Sequence, residues 1–207
     1  MKPIATGCRA VGGRLVSDDA LFLARAAGTD DPQDLICPVR LRAPLAPTVA
    51  AVLERRRIDL RGIRYALRET ARRHDCLIVE GIGGMMVPVM SGYLVADLAA
   101  ELGAPLVIVA RATLGTVNHT LLTVACAHAW RLDVAAVVLN SPMAGRHGLA
   151  ERTNPQVLSK LCAPVPVIGP LRYCRDASVE NGRLGRLPSM LAGLDGVDKL
   201  LAEWLGA

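Results

Sequence analysis

Four short runs of uninterrupted apolar residues punctuate the chain: Cys76-Leu77-Ile78-Val79, Pro105-Leu106-Val107-Ile108-Val109, Val134 to Leu139, and Val165-Pro166-Val167-Ile168. Runs this short, without polar alternation, predict strands covered on both faces. Between them the apolar positions change to helical spacing. Ser17 is placed to cap a helix beginning Asp18-Asp19-Ala20, and Gly28 to stop it. Leu60, Ile63, Leu67 and Ala71 form one stripe while Arg61, Arg64, Arg68 and Arg72 form another, predicting an amphipathic helix. Further helices are predicted over 93–102, closed by Gly103, over 116–130 and over 197–205. Strands alternating with helices predict an α/β fold, a mostly parallel sheet with helices on both faces, built as one domain over residues 1–207. Ligands in such sheets bind beyond the carboxyl ends of the strands, so the loops there are where chemistry is sought.

Composition narrows the classes. The 207 residues are 52% hydrophobic, 21% charged and 3% aromatic, which excludes a disordered chain. No apolar run approaches the roughly 20 residues that span a bilayer. Met1-Lys2-Pro3 leads into no apolar signal segment, so a cytoplasmic address is expected. The net charge of +5 is carried almost wholly by arginine, since the chain has only Lys2, Lys160 and Lys199. Arg55 to Arg57 and Arg61 to Arg73 are interleaved with Glu54, Asp59 and Glu69 and lack an aromatic platform. They read as a solvated helix face, and neither nucleic acid nor membrane is expected as a partner. The six cysteines show no CxxC spacing, and most sit in apolar settings and read as small buried hydrophobes in a reducing compartment.

Candidate chemistry lies in the loops. Glu80 ends an apolar run and opens Glu80-Gly81-Ile82-Gly83-Gly84. A carboxylate held by a strand beside a glycine-rich turn suits a Mg²⁺–phosphate site, and equally suits a plain turn with a solvated acid. Asp18 and Asp19 at a helix start serve the helix dipole, or supply a second metal carboxylate. Gly115-Thr116 opens a helix and offers free N–H groups to an anion such as a carboxylate, with ordinary capping as the other reading. His119 nearby has no placed partner as a base. Asn140-Ser141 follows an apolar run, where an amide can read a purine edge or simply form a turn. Lys2 and Thr6 sit in Lys2-Pro3-Ile4-Ala5-Thr6-Gly7 at the opening of the chain.

Taken in order, these motifs resemble the dethiobiotin synthetase family across nearly the whole chain. Lys2 to Gly7 resembles the family's Lys-Pro-Val-Ala-Ser-Gly, with Thr6 in place of serine. Ser17-Asp18-Asp19-Ala20 resembles Asn-Ser-Asp-Ala, and Val79 to Gly84 resembles Val-Glu-Gly-Ala-Gly-Gly. Ala43 to Thr48 is similar to Ala-Pro-x-x-Pro-His, with Thr48 for histidine, and Leu114 to Thr123 to Leu-Gly-x-Ile-Asn-His-x-Leu-Leu-Thr. The resemblance implies a P-loop NTPase-like fold. The implied activity is ATP- and Mg²⁺-dependent carboxylation and ring closure of 7,8-diaminononanoate, with CO₂ as co-substrate, in a homodimer. It implies Lys2 as the catalytic lysine and Thr6 on the diamine. Asp19 and Glu80 would hold Mg²⁺, and Glu80, Gly81, Ile82 and Gly83 would border the ATP phosphates. Asn140, Ser141 and a loop at Pro170-Leu171-Arg172 would face adenine, and Gly115 and Thr116 would bind the substrate's tail carboxylate.

One family element has no counterpart. The family opens with a strand, a Gly-x-x-x-x-Gly-Lys-Thr loop and a helix, and this chain contains no such motif. The expectation is that the protein starts upstream of Met1 with that strand–loop–helix unit, on the order of 30 residues. That strand would lie inside the sheet, so its neighbours here should carry unpaired backbone groups. The alternatives are a non-catalytic binding pseudo-enzyme, or an amidotransferase-type domain like that of cobyrinic acid synthases.

Overall fold

A computed structural model describes residues 1–141, 143–145 and 148–205. The chain divides into two compact units: Met1–Leu98 with Ser178–Leu184, and Ala99–Ala177 with Gly185–Ala207. The sheets that carry the architecture are parallel and the hairpins antiparallel, an α/β arrangement as predicted.

In the first unit β1 (Ile4–Ala5) pairs in parallel with β4 (Val39–Arg40). Between them lie a hairpin and two helices. The hairpin joins β2 (Arg9–Val11) to β3 (Arg14–Val16) across Gly12 and Gly13, both at positive φ (55° and 78°), the two-residue turn that matches strand twist. Helix α1 (Asp18–Ala27) is capped as predicted: Ser17 accepts from the Ala20 N–H, and Gly28 closes it at φ 64°. Its Ala20 packs with Ala5, Cys8, Ile36 and Cys37 in a buried cluster, which fixes the start of α1 against β1 and against α2 (Gln33–Ile36). Helix α3 (Pro47–Leu53) follows, and then α4 (Leu60–Arg73), whose buried line runs Ile63-Ala66-Leu67-Thr70. The hydroxyl of Thr70 is satisfied by the Ala66 carbonyl (2.8 Å). A second hairpin, β5 (Pro88–Met90) with β6 (Tyr93–Leu94), leads into α5 (Val95–Leu102), on which the unit boundary falls. The helix predicted over 93–102 therefore loses its first two residues to a strand.

The largest correction is at residues 76–79, which are irregular chain rather than a buried strand. Ile78 is 68% exposed. The segment is held on one side only: Met1 N donates to Ile78 O (2.6 Å), and Glu80 N donates to Met1 O (2.9 Å). Among the described residues no strand pairs with its other side, so the apolar run has neither the second ladder nor the covering it is built for.

The second unit is a three-stranded parallel sheet in the order β7 (Leu106–Arg111), β8 (Val134–Asn140), β9 (Val167–Leu171). Its central strand is the best buried, with Ala136, Val137 and Leu139 at 0% exposure. Ala136 and Ile168 pack against Val197 and Leu200 of α9 (Val197–Leu205), preceded by α8 (Leu187–Ala192). Helices α6 (Thr116–Ala129) and α7 (Leu149–Leu161) also pack on this sheet. Among the described residues edge strand β7 pairs with β8 alone, and its Val109 is 67% exposed. Among the described residues, no helix is long and apolar enough to cross a membrane.

Candidate active site

The site in the first unit is built by backbone pairing. Lys2 N donates to Ile36 O (2.8 Å), and the Met1 carbonyl accepts from Glu80 N, so Lys2 runs directly beside Glu80. The Lys2 side chain is buried, and its Nζ donates to Glu80 Oε1 at 2.7 Å and to the Gly81 carbonyl at 3.2 Å. Asp19, in the first turn of α1, brings Oδ2 to 3.3 Å from the same nitrogen. Burial works against the lysine's charge, but the hydrogen bond and charge of Glu80, with Asp19 beside it, outweigh this and raise its pKa above the ordinary lysine value. The site therefore holds a fixed ammonium between two half-exposed carboxylates.

The acidic pair is divided between two tasks. Asp18 forms an ion pair with Arg9 Nε at 2.8 Å on the hairpin, and Asp19 alone turns to Lys2. Beyond Glu80, Gly83 is required as glycine: its φ is 72°, and a Cβ there would lie 2.8 Å from Val87 Cγ2. Gly84 N donates to Ile82 O and closes a tight turn, while the N–H groups of Gly81, Ile82 and Gly83 have no backbone partner among the described residues. Thr6 follows β1, is partly exposed, and stands before the positive-φ turn at Gly7. The thiols nearby are inert, as expected: Cys37 is fully buried, and burial pushes it up to about 12. Elsewhere Cys126 is half-buried, and Cys76, on the irregular segment 76–79, is exposed.

The donor chemistry of Asp19 and Glu80 fits a Mg²⁺ ion. Two carboxylates that share one cation match a metal that takes one or two carboxylates and completes its shell with water and phosphate. Among the described residues no group of three or more His, Cys, Asp or Glu forms a closed protein cage.

The remaining candidates lie in the second unit. Gly115 caps α6 at φ 91°. The Thr116 hydroxyl does not cap; it is buried against Thr120 Oγ1 (3.3 Å), and its N–H is used by Thr113 O (3.2 Å). The donors left at this helix start are the N–H groups of Val117 and Asn118, without a backbone partner among the described residues. His119 is exposed. Asn140 closes β8, and Ser141 N donates to Leu171 O at 2.8 Å. Ser141 Oγ is buried and has no hydrogen-bond partner among the described residues, a polar atom that suits a ligand or water. Pro170 and Leu171 do not form a loop, as the sequence suggested; they belong to β9, which runs three residues past the end of the apolar run at Ile168, and only Arg172 lies past it. Sequence reading also missed Asn154 on α7, which is buried and donates to Ala112 O and Thr113 O. An asparagine before a proline reads as a turn, and that hid it.

The first unit brings a lysine and two carboxylates together at a glycine-rich turn, and residues 1–181 match the family model of an AAA domain, a fold of the P-loop NTPase type. Relatives sharpen the class. The chain is 39% identical over 188 residues to the ATP-dependent dethiobiotin synthetase of Thermodesulfovibrio yellowstonii, covering 87% of this chain and 78% of that protein. It is 39% identical over 171 residues to the enzyme of the same name from Bacillus licheniformis, covering 81% and 72%. The corresponding protein of Anaeromyxobacter dehalogenans strain 2CP-C is 46% identical over 140 residues, 68% of this chain and 61% of its own length. The chain belongs to the dethiobiotin synthetase family.

Proposed function

We propose that the chain catalyses ATP- and Mg²⁺-dependent carboxylation and ring closure of 7,8-diaminononanoate to dethiobiotin, the ligase step of biotin synthesis that its relatives' names denote. The observation that carries this reading is the Lys2 ammonium held between Glu80 and Asp19. One amine of the substrate adds to CO₂ and loses a proton, giving a carbamate. A carbamate oxygen attacks the γ-phosphorus of ATP, and ADP leaves. The second amine then attacks the carbamoyl carbon, loses its proton, and orthophosphate is expelled as the ring closes. Negative charge grows on the carbamate and the transferring phosphoryl group, and a fixed ammonium in a partly desolvated setting is suited to neutralise it.

Bound at Asp19 and Glu80, Mg²⁺ would supply further neutralisation of the phosphates. In this reading Gly81, Ile82 and Gly83 face the phosphates through backbone N–H groups, and Thr6 contacts the diamine. Asn140 and Ser141 hold adenine, with Pro170, Leu171 and Arg172 beside them, and the start of α6 at Gly115-Thr116 holds the tail carboxylate, through the N–H groups of Val117 and Asn118 because the Thr116 N–H and hydroxyl are engaged within the protein. The orphaned Ser141 hydroxyl supports a ligand at the end of β8. We place the protein in the cytoplasm as a homodimer, acting as one domain without nucleic acid or membrane. The relatives' names favour this ligase over a binding pseudo-enzyme or a cobyrinic acid synthase-like amidotransferase.

Orthophosphate release from ATP in the presence of bicarbonate tests the reading. Release is expected only when 7,8-diaminononanoate is added, with dethiobiotin formed in equal amount. ATP hydrolysis indifferent to the diamine would overturn it.

A further inference from the structure

The loop between β7 and α6 is short of regular structure, yet it carries the proposed carboxylate site. Its path is fixed from beneath. Asn154 is buried in α7, and its Nδ2 donates to Ala112 O at 2.9 Å and to Thr113 O at 3.2 Å. Both partners are carbonyls, which can only accept, so both amide hydrogens are used and the orientation of the amide is settled by its neighbours. Ala112, itself at 0% exposure, donates its N–H to Asn140 O at 3.0 Å, and Thr113 O accepts the Thr116 N–H. Asn154 thus grips the two residues that leave the end of β7 and hydrogen-bond both the end of β8 and the first turn of α6. The Asn140 side is also secured by the β7–β8 ladder, in which Arg111 pairs with Asn140. The α6 side has no such ladder.

We propose that Asn154 is a positioning residue for the carboxylate end of the substrate, holding the 112–116 loop so that the free N–H groups at the start of α6 face an anion. This rests on the carboxylate reading of Gly115-Thr116. Displacing oriented donors by about an ångström is enough to lose most of their benefit. Asn154→Asp keeps the shape but puts acceptors opposite the Ala112 and Thr113 carbonyls. Asn154→Ser keeps one donor and settles the matter if the aspartate variant fails to fold.

The assay compares 7,8-diaminononanoate with its uncharged carboxamide, at saturating ATP and then with ATP varied. Wild-type protein is expected to prefer the acid at least tenfold in kcat/KM. In Asn154→Asp the KM for the acid should rise at least tenfold, while the KM values for the carboxamide and for ATP stay within about threefold, and Asn154→Ser should lie between. Variants that keep the wild-type preference for the acid, or lose kcat equally on both substrates, overturn the positioning role. A wild-type protein indifferent to the carboxylate instead overturns the reading of Gly115-Thr116, and the inference with it.

Discussion

Replacing Lys2 with methionine separates the catalytic use of the site from its structural use. The methionine keeps most of the buried stem and removes the ammonium that touches Glu80 Oε1 at 2.7 Å, Gly81 O at 3.2 Å and Asp19 Oδ2 at 3.3 Å. Both carboxylates are about half exposed (48% and 51%), so water screens them once the lysine is gone. Partly solvated ion pairs are worth up to about 1 kcal/mol each, and the apolar replacement offsets part of that loss. The expected change in unfolding free energy is therefore small. The chemical step responds differently, because charge there develops beside the ammonium. Removing one fixed donor of this kind costs about 10²–10³ in kcat, or about 3–4 kcal/mol of barrier. The assay pairs chemical denaturation with diamine-dependent orthophosphate release under saturating substrates. A loss of less than tenfold in kcat, with Mg²⁺ and ATP saturating, would refute the role given to Lys2. The pH dependence follows from the raised pKa. The lysine stays charged through neutral pH; its contribution to stability is fully present below the ordinary lysine value and fades as pH climbs through the higher folded-state value.

Three further outcomes are expected. Asp19→Asn should lower kcat about a hundredfold or more, whereas Asp18→Asn, which breaks only the pair with Arg9, should leave turnover within about twofold and stability within about 0.5 kcal/mol; equal effects in a steady-state assay would argue against the division of the pair. Gly83→Ala should destabilise the fold by roughly 1–3 kcal/mol through positive φ and the clash with Val87, read by denaturant midpoint, and an unchanged midpoint would contradict it. Asp31 is held below the usual carboxylate range by the hydrogen bond from His74 (2.5 Å), against some burial and with help from Arg73 and Thr29. Its stabilisation is present above the ordinary aspartate value near 3.9 and is lost as pH falls through the lower folded-state value, so the melting difference between wild type and Asp31→Asn should shrink below about pH 4.

Local chemistry was legible where the sequence carried its own instruction. The Ser17 cap and Gly28 stop of α1, the last helix at 197–205 and the strands β7 and β8 needed only their neighbours in the chain. Residues 76–79 were misread because composition records the covering a segment is suited to, and this one is paired through Met1 on a single side. Helix α7 was missed because Pro155 stands inside it, and tertiary packing overrides that local penalty. In the site, Glu80 stands out at a glycine-rich turn and Asp19 at a helix start, while Lys2 takes its role only from the family resemblance. Their convergence, and the diversion of Asp18 to Arg9, depend on long-range pairing that no spacing rule encodes.

The most direct measurement supplies ¹³C-labelled bicarbonate with ATP, Mg²⁺ and 7,8-diaminononanoate and follows the product by mass spectrometry in wild type and Lys2→Met. Dethiobiotin is expected to carry one label in its ring carbonyl, with one orthophosphate per ring, and to form at least a hundredfold more slowly in the variant. Label incorporated at equal rates by both proteins, or phosphate released without labelled product, would contradict this expectation.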